Sequence, residues 1–398
     1  MSVTTYPRIG ACVAFILLGT AFGAQGQSSP LEQPRLTDPT LRREYVDLRF
    51  SSPASGYVFT DSEILRTSDA GRSWQLLFTA SPAQVVGERF FINPTTAWIY
   101  TSRRGALPAF LFRTVDGFAT VEQMGLEFQR HDKMRTGFIS NVFFLDAEHG
   151  WASGGSGHLA VTADGGRTWV GHLIPRLLGE PGRVVMFPPA PGQSPTEGIA
   201  KTDIGMIRTT DGGATWQAIP NASRITMRDW QCVDRSFCMQ MDVLNQITTS
   251  TDGGISWHPE PAPIDKPPAD DGRDQVYSLQ VQSPTRAYVF GVDTHLPPRG
   301  QTEVIGANGQ RVTPRYPRTS FLLTYEAGKW KRTNYPNIPQ LGVGQFVDDS
   351  NGWAASSNNA IFRTTDGGQT WATVPDYYRQ IAALTPTEPP FVFPTPTP

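Results

Sequence analysis

The 398-residue sequence predicts an all-β fold, a single β-propeller of seven four-stranded antiparallel blades, and three observations carry this prediction. An eight-residue pattern, Ser/Thr-x-Asp-x-Gly-x-Ser/Thr-Trp, recurs along the chain. Runs of alternating apolar and polar residues separate its copies, and this alternation is the period of half-buried strands. The copies are also separated by about the 40–50 residues that one four-stranded blade requires.

Five full copies share the aspartate, the glycine two positions later and the terminal tryptophan; they are Thr67–Trp74, Thr162–Trp169, Thr209–Trp216, Ser250–Trp257 and Thr364–Trp371. A degraded copy around Asp116 ends in Val121 where the others have tryptophan. The long interval between Asp252 and Asp366 leaves room for one longer blade and one ordinary blade. The longer one has only a short turn, Glu326 to Gly328, where a copy would stand. If that unit is not a true blade, the count falls to six.

Each residue type in the pattern suits a hairpin turn. The aspartate can accept hydrogen bonds from backbone N–H groups about two residues further on, and the glycine tolerates a positive φ. The hydroxyls can tie the two arms together, while the tryptophan buries its ring and donates its N–H. We therefore predict structural roles for Asp69, Trp74, Asp116, Asp164, Trp169, Asp211, Trp216, Asp252, Trp257, Asp366 and Trp371.

The pattern resembles the Asp-box, or bacterial neuraminidase repeat, which in that family lies on the turn between the third and fourth strands of a propeller blade. Gly150-Trp151-Ala152 and Gly352-Trp353-Ala354 precede two of the boxes. This combination of a Gly-Trp-Ala sequence and a following box is most similar to the sequences of propellers in photosystem II assembly and stability factors and their bacterial relatives. Sialidases, xyloglucanases and sortilin-type receptors also carry the box, so the resemblance implies an architecture rather than one function.

The N-terminal segment predicts an exported protein. An apolar run from Ile9 to Gly23 follows Arg8, which indicates a signal peptide over residues 1–26, although an uncleaved membrane anchor is the alternative. We expect an N-terminal arm over residues 27–42, the propeller over 43–384 and a proline-rich tail over 385–398. The expected location is periplasmic, lumenal or secreted, and the expected state is a monomer.

The mature chain keeps two cysteines, Cys232 and Cys238, six residues apart across a possible hairpin. In an exported protein this spacing predicts a disulfide, and two buried thiols are the alternative. No histidine lies nearby, so the pair does not predict a zinc site, and we expect no metal or cofactor. The net charge of −2 argues against bulk binding of nucleic acid.

A sialidase-like enzyme is the specific catalytic hypothesis. Resemblance to that family would require three arginines, an Asp acid/base, a Tyr/Glu pair and an Arg-Ile-Pro strand motif, which the mature chain lacks. Tyr325 and Glu326 are adjacent, and adjacent strand residues point to opposite faces. We therefore predict no catalytic residue and a non-catalytic scaffold for protein binding or assembly; a carbohydrate-active propeller, hydrolase or glycan-binding, is the alternative.

Arginines predict the binding face. If the boxes mark the turns between strands three and four, the connections after strands two and four lie on the opposite face. Arginine forks suit carboxylates, and the resembling assembly factors imply an arginine-rich surface that holds a protein. We expect this face to bind an acidic or C-terminal tail segment of an exported or membrane protein; an ordinary solvated surface is the alternative. The candidate residues are Arg103, Arg104, Arg130, Arg135, Arg176, Arg183, Arg224, Arg228, Arg299 and Arg315, the last two in an insertion over 293–320.

Overall fold

The computed structural model describes part of the chain, namely residues 4–5, 47–60, 62–79, 84–103, 106–124, 128–129, 139–154, 157–220, 227–264, 274–293, 304–305, 311–312, 319–336, 338, 341–356 and 360–374. The predicted signal peptide, arm and tail lie outside these residues, apart from Thr4–Thr5. No helix among the described residues has the length and apolar character needed to cross a membrane. The described residues form two compact units: one includes Ala54–Ser223, and the other combines Glu44–Pro53 with Arg224–Val374.

The chain is a seven-bladed β-propeller, as predicted. The strands of the first four blades are β1 (Thr4–Thr5), β2 (Asp47–Phe50), β3 (Gly56–Phe59), β4 (Glu63–Thr67), β5 (Gln75–Thr79), β6 (Gln84–Phe91), β7 (Ala97–Arg103), β8 (Ala106–Thr114), β9 (Glu122–Met124), β10 (Phe128–Gln129), β11 (Ile139–Phe144), β12 (Gly150–Gly154), β13 (His158–Thr162), β14 (Trp169–Leu173), β15 (Pro181–Met186), β16 (Gly198–Thr202), β17 (Met206–Thr209) and β18 (Gln217–Ala218). A 3-10 turn, Arg176–Leu178, lies between β14 and β15.

The later strands are β19 (Met227–Asp234), β20 (Phe237–Asp242), β21 (Ile247–Ser250), β22 (His258–Pro259), β23 (Asp274–Ser283), β24 (Arg286–Asp293), β25 (Val304–Ile305), β26 (Arg311–Val312), β27 (Thr319–Glu326), β28 (Lys329–Tyr335), β29 (Leu341–Phe346), β30 (Gly352–Ser356), β31 (Ile361–Thr364) and β32 (Ala372–Thr373). The seven blades have the strand orders β2-β3-β4-β5, β6-β7-β8-β9, β11-β12-β13-β14, β15-β16-β17-β18, β19-β20-β21-β22, β23-β24-β27-β28 and β29-β30-β31-β32.

Three features differ from a plain four-stranded pattern. In blade two, β1 pairs antiparallel with the outer strand β9, and in blade three, β10 pairs parallel with the outer strand β14. The outer strand of a blade has one unpaired edge, which can accept an added strand. A separate hairpin of β25 and β26 lies in the predicted insertion, between strands two and three of blade six.

The box turns have the predicted position between strands three and four and a common hydrogen-bond pattern. In blade three, the Thr162 hydroxyl donates to Asp164 at 2.8 Å and accepts the N–H of Gly166 at 2.9 Å. The Asp164 carboxylate accepts the N–H and the hydroxyl of Thr168 at 2.8 and 2.6 Å. The aspartate therefore reaches an N–H four residues on, not two as expected, because the two intervening glycines turn the chain back with positive φ. Asp69, Asp116, Asp211, Asp252 and Asp366 make the same contacts.

The box tryptophans are more variable than their aspartates. The indole N–H groups of Trp169, Trp216 and Trp257 each donate at 3.0 Å to the carbonyl of the second glycine of their own box. Trp74 is buried, yet its N–H has no hydrogen-bond partner within the described part of the chain. The tryptophan ring is thus the more general feature, and its hydrogen bond is an addition in three blades.

Blade six is a true blade, so the alternative count of six is wrong. Its strands β27 and β28 pair in continuous register from Ser320↔Tyr335 to Glu326↔Lys329. The turn between them replaces the box with Ala327 and Gly328, whose φ angles are 46° and 85°. Two consecutive positive φ values are typical of a two-residue hairpin turn that matches the twist of the strands.

Aromatic rings pack between neighbouring blades within each unit. In the first unit, the rings of Trp98 and Phe144 are stacked with centroids 3.6 Å apart. In the second unit, Tyr288 stacks on Phe346 at 4.0 Å, and Phe50 stacks on Trp353 at 4.0 Å. Burial of such rings is the main favourable contribution to this core.

Cys232 and Cys238 form a disulfide in blade five. They are cross-strand partners at the closed end of the β19–β20 hairpin, and their Cα atoms are 4.0 Å apart. The bridge therefore joins two strands that are already hydrogen-bonded and ties the end of the hairpin.

Candidate functional site

The two ends of each blade differ in what they can offer a ligand. In blade three, the N–H of Gly165 in the box donates at 2.8 Å to the carbonyl of Glu148, in the turn between strands one and two. Those two turns therefore share one end, and every box turn is filled by its own hydrogen bonds. The turns after strand two and the connections after strand four lie at the other end. We call this second end of each blade the loop face.

Three of the ten predicted arginines have described side chains. Arg176 lies in the 3-10 turn, Arg183 near the start of β15 and Arg228 near the start of β19, and all three are exposed. These positions are at the loop-face ends of their blades. Arg103 ends β7 at that same end of blade two, but its side chain is outside the described set. The remaining candidates lie outside the described residues; they are Arg104, Arg130, Arg135, Arg224, Arg299 and Arg315.

Arg228 is held in place by the neighbouring blade. One of its terminal nitrogens donates to the carbonyl of Val276 on β23, and its guanidinium lies 5.9 Å from the ring centre of Tyr277. The Tyr277 hydroxyl in turn donates to Gln275 at 2.7 Å. Because the carbonyl and the ring fix the guanidinium, little side-chain entropy remains to be lost when Arg228 binds an anion.

Two exposed leucines lie within three residues of Arg176 in the chain. Leu177 is 89% exposed and Leu173 is 70% exposed, whereas Leu178 turns inward to the core. The next residue, Gly179, lies against the turn at Ile204, because a Cβ on it would be 2.7 Å from that side chain. This part of the loop face therefore combines a positive charge with large apolar side chains.

Sequence reasoning missed Arg332, which organises the loop face of blade six. It makes two hydrogen bonds with the fully buried carboxylate of Asp274, at 2.5 and 2.9 Å, and another with the carbonyl of Pro263 at 3.2 Å. Its guanidinium also covers the ring of Phe321 at 4.0 Å. Since Asp274 begins the inner strand β23, this pair fixes where the strand starts.

The box carboxylates are committed to structure. Slight burial works against ionisation of Asp366, but hydrogen bonds from Thr370 and Thr364 outweigh it and lower the pKa of Asp366 to about 2. The pKa of Asp69 is lowered chiefly by the Ser73 hydroxyl and N–H. A carboxyl that stays ionised in this way is a poor proton donor near neutral pH.

The hypothetical sialidase pair is not assembled by Tyr325 and Glu326. Tyr325 is buried against Trp330, and burial raises the pKa of its phenol. Glu326 points the other way, is 61% exposed and pairs with Arg286. Among the described residues there is also no group of three or more His, Cys, Asp or Glu side chains that could hold a metal ion.

Comparison with known proteins supports the fold. The profile of the BNR/Asp-box repeat matches residues 248–259, the box of blade five. No curated protein matches the chain. Among solved structures, YCF48 bound to D1 peptide is 15% identical, with 81% of this chain and 93% of that chain covered and a TM-score of 0.53.

Two further structures have the same architecture. YCF48 from Cyanidioschyzon merolae is 14% identical, covers 81% of this chain and 97% of its own, and has a TM-score of 0.52. The GH74 xyloglucanase from Xanthomonas campestris is 13% identical, with coverages of 84% and 55% and a TM-score of 0.59. This chain thus spans about half of the glycosidase. At such identities the similarity establishes the propeller fold alone.

Proposed function

We propose that this Asp-box β-propeller is an exported, non-catalytic scaffold that holds a segment of another protein on its loop face. The observation that carries the proposal is the pairing of exposed arginine with exposed leucine on short connections, as at Arg176 and Leu177. Arginine binds carboxylates through two parallel hydrogen bonds, and it is enriched in protein interfaces. Large exposed apolar side chains beside it add the contact area that such a partner needs.

A peptide is the partner class that the relatives favour. One of the similar structures is YCF48 bound to D1 peptide. That statement concerns YCF48, and this chain shares only its fold, so the peptide of this chain is a matter for experiment. The chemistry of the loop face favours a segment with acidic side chains or a free carboxyl terminus.

The non-catalytic role is supported by the use made of the carboxylates. The six box aspartates accept hydrogen bonds from their own turns, which fixes their carboxylates in place. The GH74 similarity keeps a carbohydrate-active propeller as the competing function. Hydrolysis of any sugar substrate at an enzyme-like rate by the purified protein would overturn our proposal in favour of that alternative.

Export is part of the same proposal. It is supported by the apolar run after Arg8 and by the bridge between Cys232 and Cys238, since disulfides persist in oxidising compartments. Separating the cell envelope from the cytoplasm and following the protein by immunoblot tests it. A purely cytoplasmic protein with reduced cysteines would contradict export.

The binding proposal is tested by affinity capture from envelope extracts of the native host, with charge reversals on the two ends of the blades. Arg176→Glu and Arg228→Glu alter the loop face, and the double variant Arg103→Glu with Arg104→Glu alters two residues predicted to belong to it. Arg72→Glu makes the same charge change on an exposed residue of a box turn. We expect a partner that is retained by the wild type and Arg72→Glu and lost by the loop-face variants; equal capture by every variant would refute the proposal.

A further inference from the structure

The turn after strand two of blade five presents two apolar side chains on the loop face. Val243 is 52% exposed and Leu244 is 64% exposed, and they are the central residues between Asp242 and Asn245. Single exposed leucines are common on protein surfaces. Two adjacent exposed apolar side chains at the tip of a turn can form a binding surface when the turn is rigid and a charged group lies beside it.

This turn is rigid. Asp242 accepts the N–H groups of Leu244 and Gln246 at 2.8 and 2.7 Å, and its carbonyl accepts the N–H of Asn245 at 3.1 Å. Asn245 has a φ of 61° and is nearly buried, and its side-chain amide donates to the carbonyl of Asp274. The exposed pair is therefore mounted on a backbone that its neighbours hold on both sides.

The support continues into the core. The carbonyl of Asp274 accepts the hydrogen bond from the Asn245 amide, and the carboxylate of Asp274 accepts two hydrogen bonds from Arg332. The guanidinium of Arg332 in turn lies on the ring of Phe321. Phe321 is fully buried in the hydrophobic cluster of the second unit. A partner that docks on Leu244 thus meets a surface that loses little conformational freedom on binding, which is the condition for a strong contact from a small area.

Arg228 lies on the loop face of the same blade. Its neighbour Met227 is the cross-strand partner of Asp242, and partners in an antiparallel pair have Cα atoms about 5 Å apart. The carbonyl of Val276 and the ring of Tyr277 hold the guanidinium, as described above. Within the described residues Arg228 has no carboxylate partner, so its positive charge is available to an acidic ligand.

We propose that Val243, Leu244 and Arg228 form a docking point for a peptide segment in which a large apolar side chain lies next to a carboxylate. The apolar side chain packs on the turn, and the carboxylate pairs with the guanidinium. This inference rests on the proposed function and deepens it by naming the blade and the chemistry of the bound segment. Arginine is enriched in interface hot spots, and apolar contacts around such a residue exclude water from it.

The test uses the full chain and a fluorescent probe peptide of alternating leucine and glutamate, with binding followed by anisotropy. Two control peptides replace every leucine with serine or every glutamate with glutamine. We expect the wild type to bind the first peptide at least about tenfold more tightly than either control, because both contacts contribute. Absence of binding to the alternating peptide would overturn the inference.

Variants locate the site. Leu244→Ser should weaken binding about tenfold or more, and Arg228→Gln should weaken it and remove its dependence on salt. Val115→Ser makes a matching change at an exposed apolar residue of a box turn, 52% exposed and at the other end of its blade, and should leave the affinity unchanged. The thermal midpoint of each variant is measured as well, and we expect all three to match the wild type. A loss of binding then cannot be assigned to unfolding.

The outcomes separate this inference from the proposed function. If Leu177→Ser or Arg176→Glu abolishes binding while Leu244→Ser does not, the loop face binds peptide and blade five is the wrong place. If Leu244→Ser converts a dimer into a monomer in sedimentation experiments, the turn is a contact between two copies of this chain. Either result refutes the docking point.

Discussion

The side chain of Gln280 makes two hydrogen bonds with the backbone of Phe346, donating from Nε2 to the carbonyl at 2.7 Å and accepting the N–H at Oε1 at 2.6 Å. Gln280 lies on the inner strand of blade six, and Phe346 lies on that of blade seven. A side-chain amide carries a donor and an acceptor side by side, so it can complete the backbone of a neighbouring strand. Within the second unit this contact joins two blades without any ladder between them.

The same contact recurs between other inner strands of that unit. Gln345 binds the backbone of Phe50 through bonds of 2.7 and 3.0 Å. Gln231 donates to the carbonyl of Leu279 at 2.6 Å and accepts the N–H of Val281 at 2.9 Å. Three successive inner strands are therefore each joined to the next inner strand by one glutamine. We call each of these contacts, made by Gln231, Gln280 and Gln345, a clamp.

Removal of one clamp should destabilise the protein measurably. Gln280→Ala leaves the N–H and carbonyl of Phe346 without their partners, and each unsatisfied group costs about 1–3 kcal/mol. We expect the free energy of unfolding from urea titration to fall by about 2 kcal/mol. Gln217→Ala, at an exposed position of β18, is the matched control and should change it by less than about 0.5 kcal/mol. Equal effects of the two substitutions would show that the clamp contributes nothing.

A second prediction concerns the close contact between Gly213 and Trp151. Gly213 has a φ of 96°, and a Cβ on it would lie 2.9 Å from the indole nitrogen of Trp151, which donates to Gly212. Gly213→Ala should therefore cost strain of about 1–2 kcal/mol and a further 1–3 kcal/mol from overpacking. The measurement is the free energy of unfolding in urea.

The control for that prediction is Gly192→Ala. Gly192 has a similar φ of 79° but no atom within 4 Å of the added Cβ, so only the backbone strain applies. The difference between the two alanine variants isolates the steric conflict with the indole. If the two variants lose the same stability, Trp151 moves aside at no cost and the packing argument fails.

The box turns and the blade count could be predicted from the sequence because their contacts are local. Thr162, Asp164 and Thr168 satisfy one another within seven positions, so the pattern itself encodes the turn. A second local pattern was available and was missed. Asn93, Asp146 and Asp348 each cap the turn between strands one and two, and each stands five residues before a buried tryptophan.

The clamps and the candidate docking point could not be predicted in this way. In the sequence, Gln280 cannot be distinguished from any other polar residue of a strand. Its partner Phe346 is far along the chain, so no local pattern indicates the contact. The same holds for Arg332 and Asp274. Arginine counting pointed to the loop face, but the exposure of Leu244 depends on a turn whose rigidity comes from Asp274, on another blade.

The box aspartates predict how stability depends on pH. The pKa of Asp366 is about 2 in the folded protein against an ordinary 3.8, so folding favours its ionised form. Such a group stabilises the fold above its unfolded pKa and loses that contribution as the pH falls through its folded pKa. The urea concentration at the midpoint of unfolding should therefore decrease as the pH is lowered from about 4 to about 2.

Asp366→Asn tests that prediction. The amide has one acceptor oxygen instead of two and carries no charge, so the variant should be less stable than the wild type at neutral pH and approach it near pH 2. The remaining acid sensitivity should come from the other boxes. Burial is the largest single influence on Asp164, Asp211 and Asp252 and opposes their ionisation, but their turn hydrogen bonds together outweigh it and lower their pKa values. A constant difference between the two proteins across this range would contradict the assignment.

The ion pair of Arg332 and Asp274 gives the largest expected effect. Asp274 has no exposed side-chain surface, and the side chain of Arg332 is only 16% exposed. Removing one partner of a buried pair leaves the other charge uncompensated, which typically costs about 3–5 kcal/mol. Arg332→Met should therefore lower the free energy of unfolding by that amount, whereas Arg332→Met combined with Asp274→Asn should be less damaging than Arg332→Met alone.

An exposed pair in the same unit provides the comparison. Glu326→Gln breaks the contact with Arg286, and Glu326 is 61% exposed, so the expected loss is below about 1 kcal/mol. Urea titration of the wild type, Arg332→Met, Asp274→Asn and the double variant completes a double-mutant cycle. Additive losses for Arg332→Met and Asp274→Asn would show that the two side chains act independently. The loop face of blade six would then owe its position to the Phe321 and Pro263 contacts of Arg332 instead.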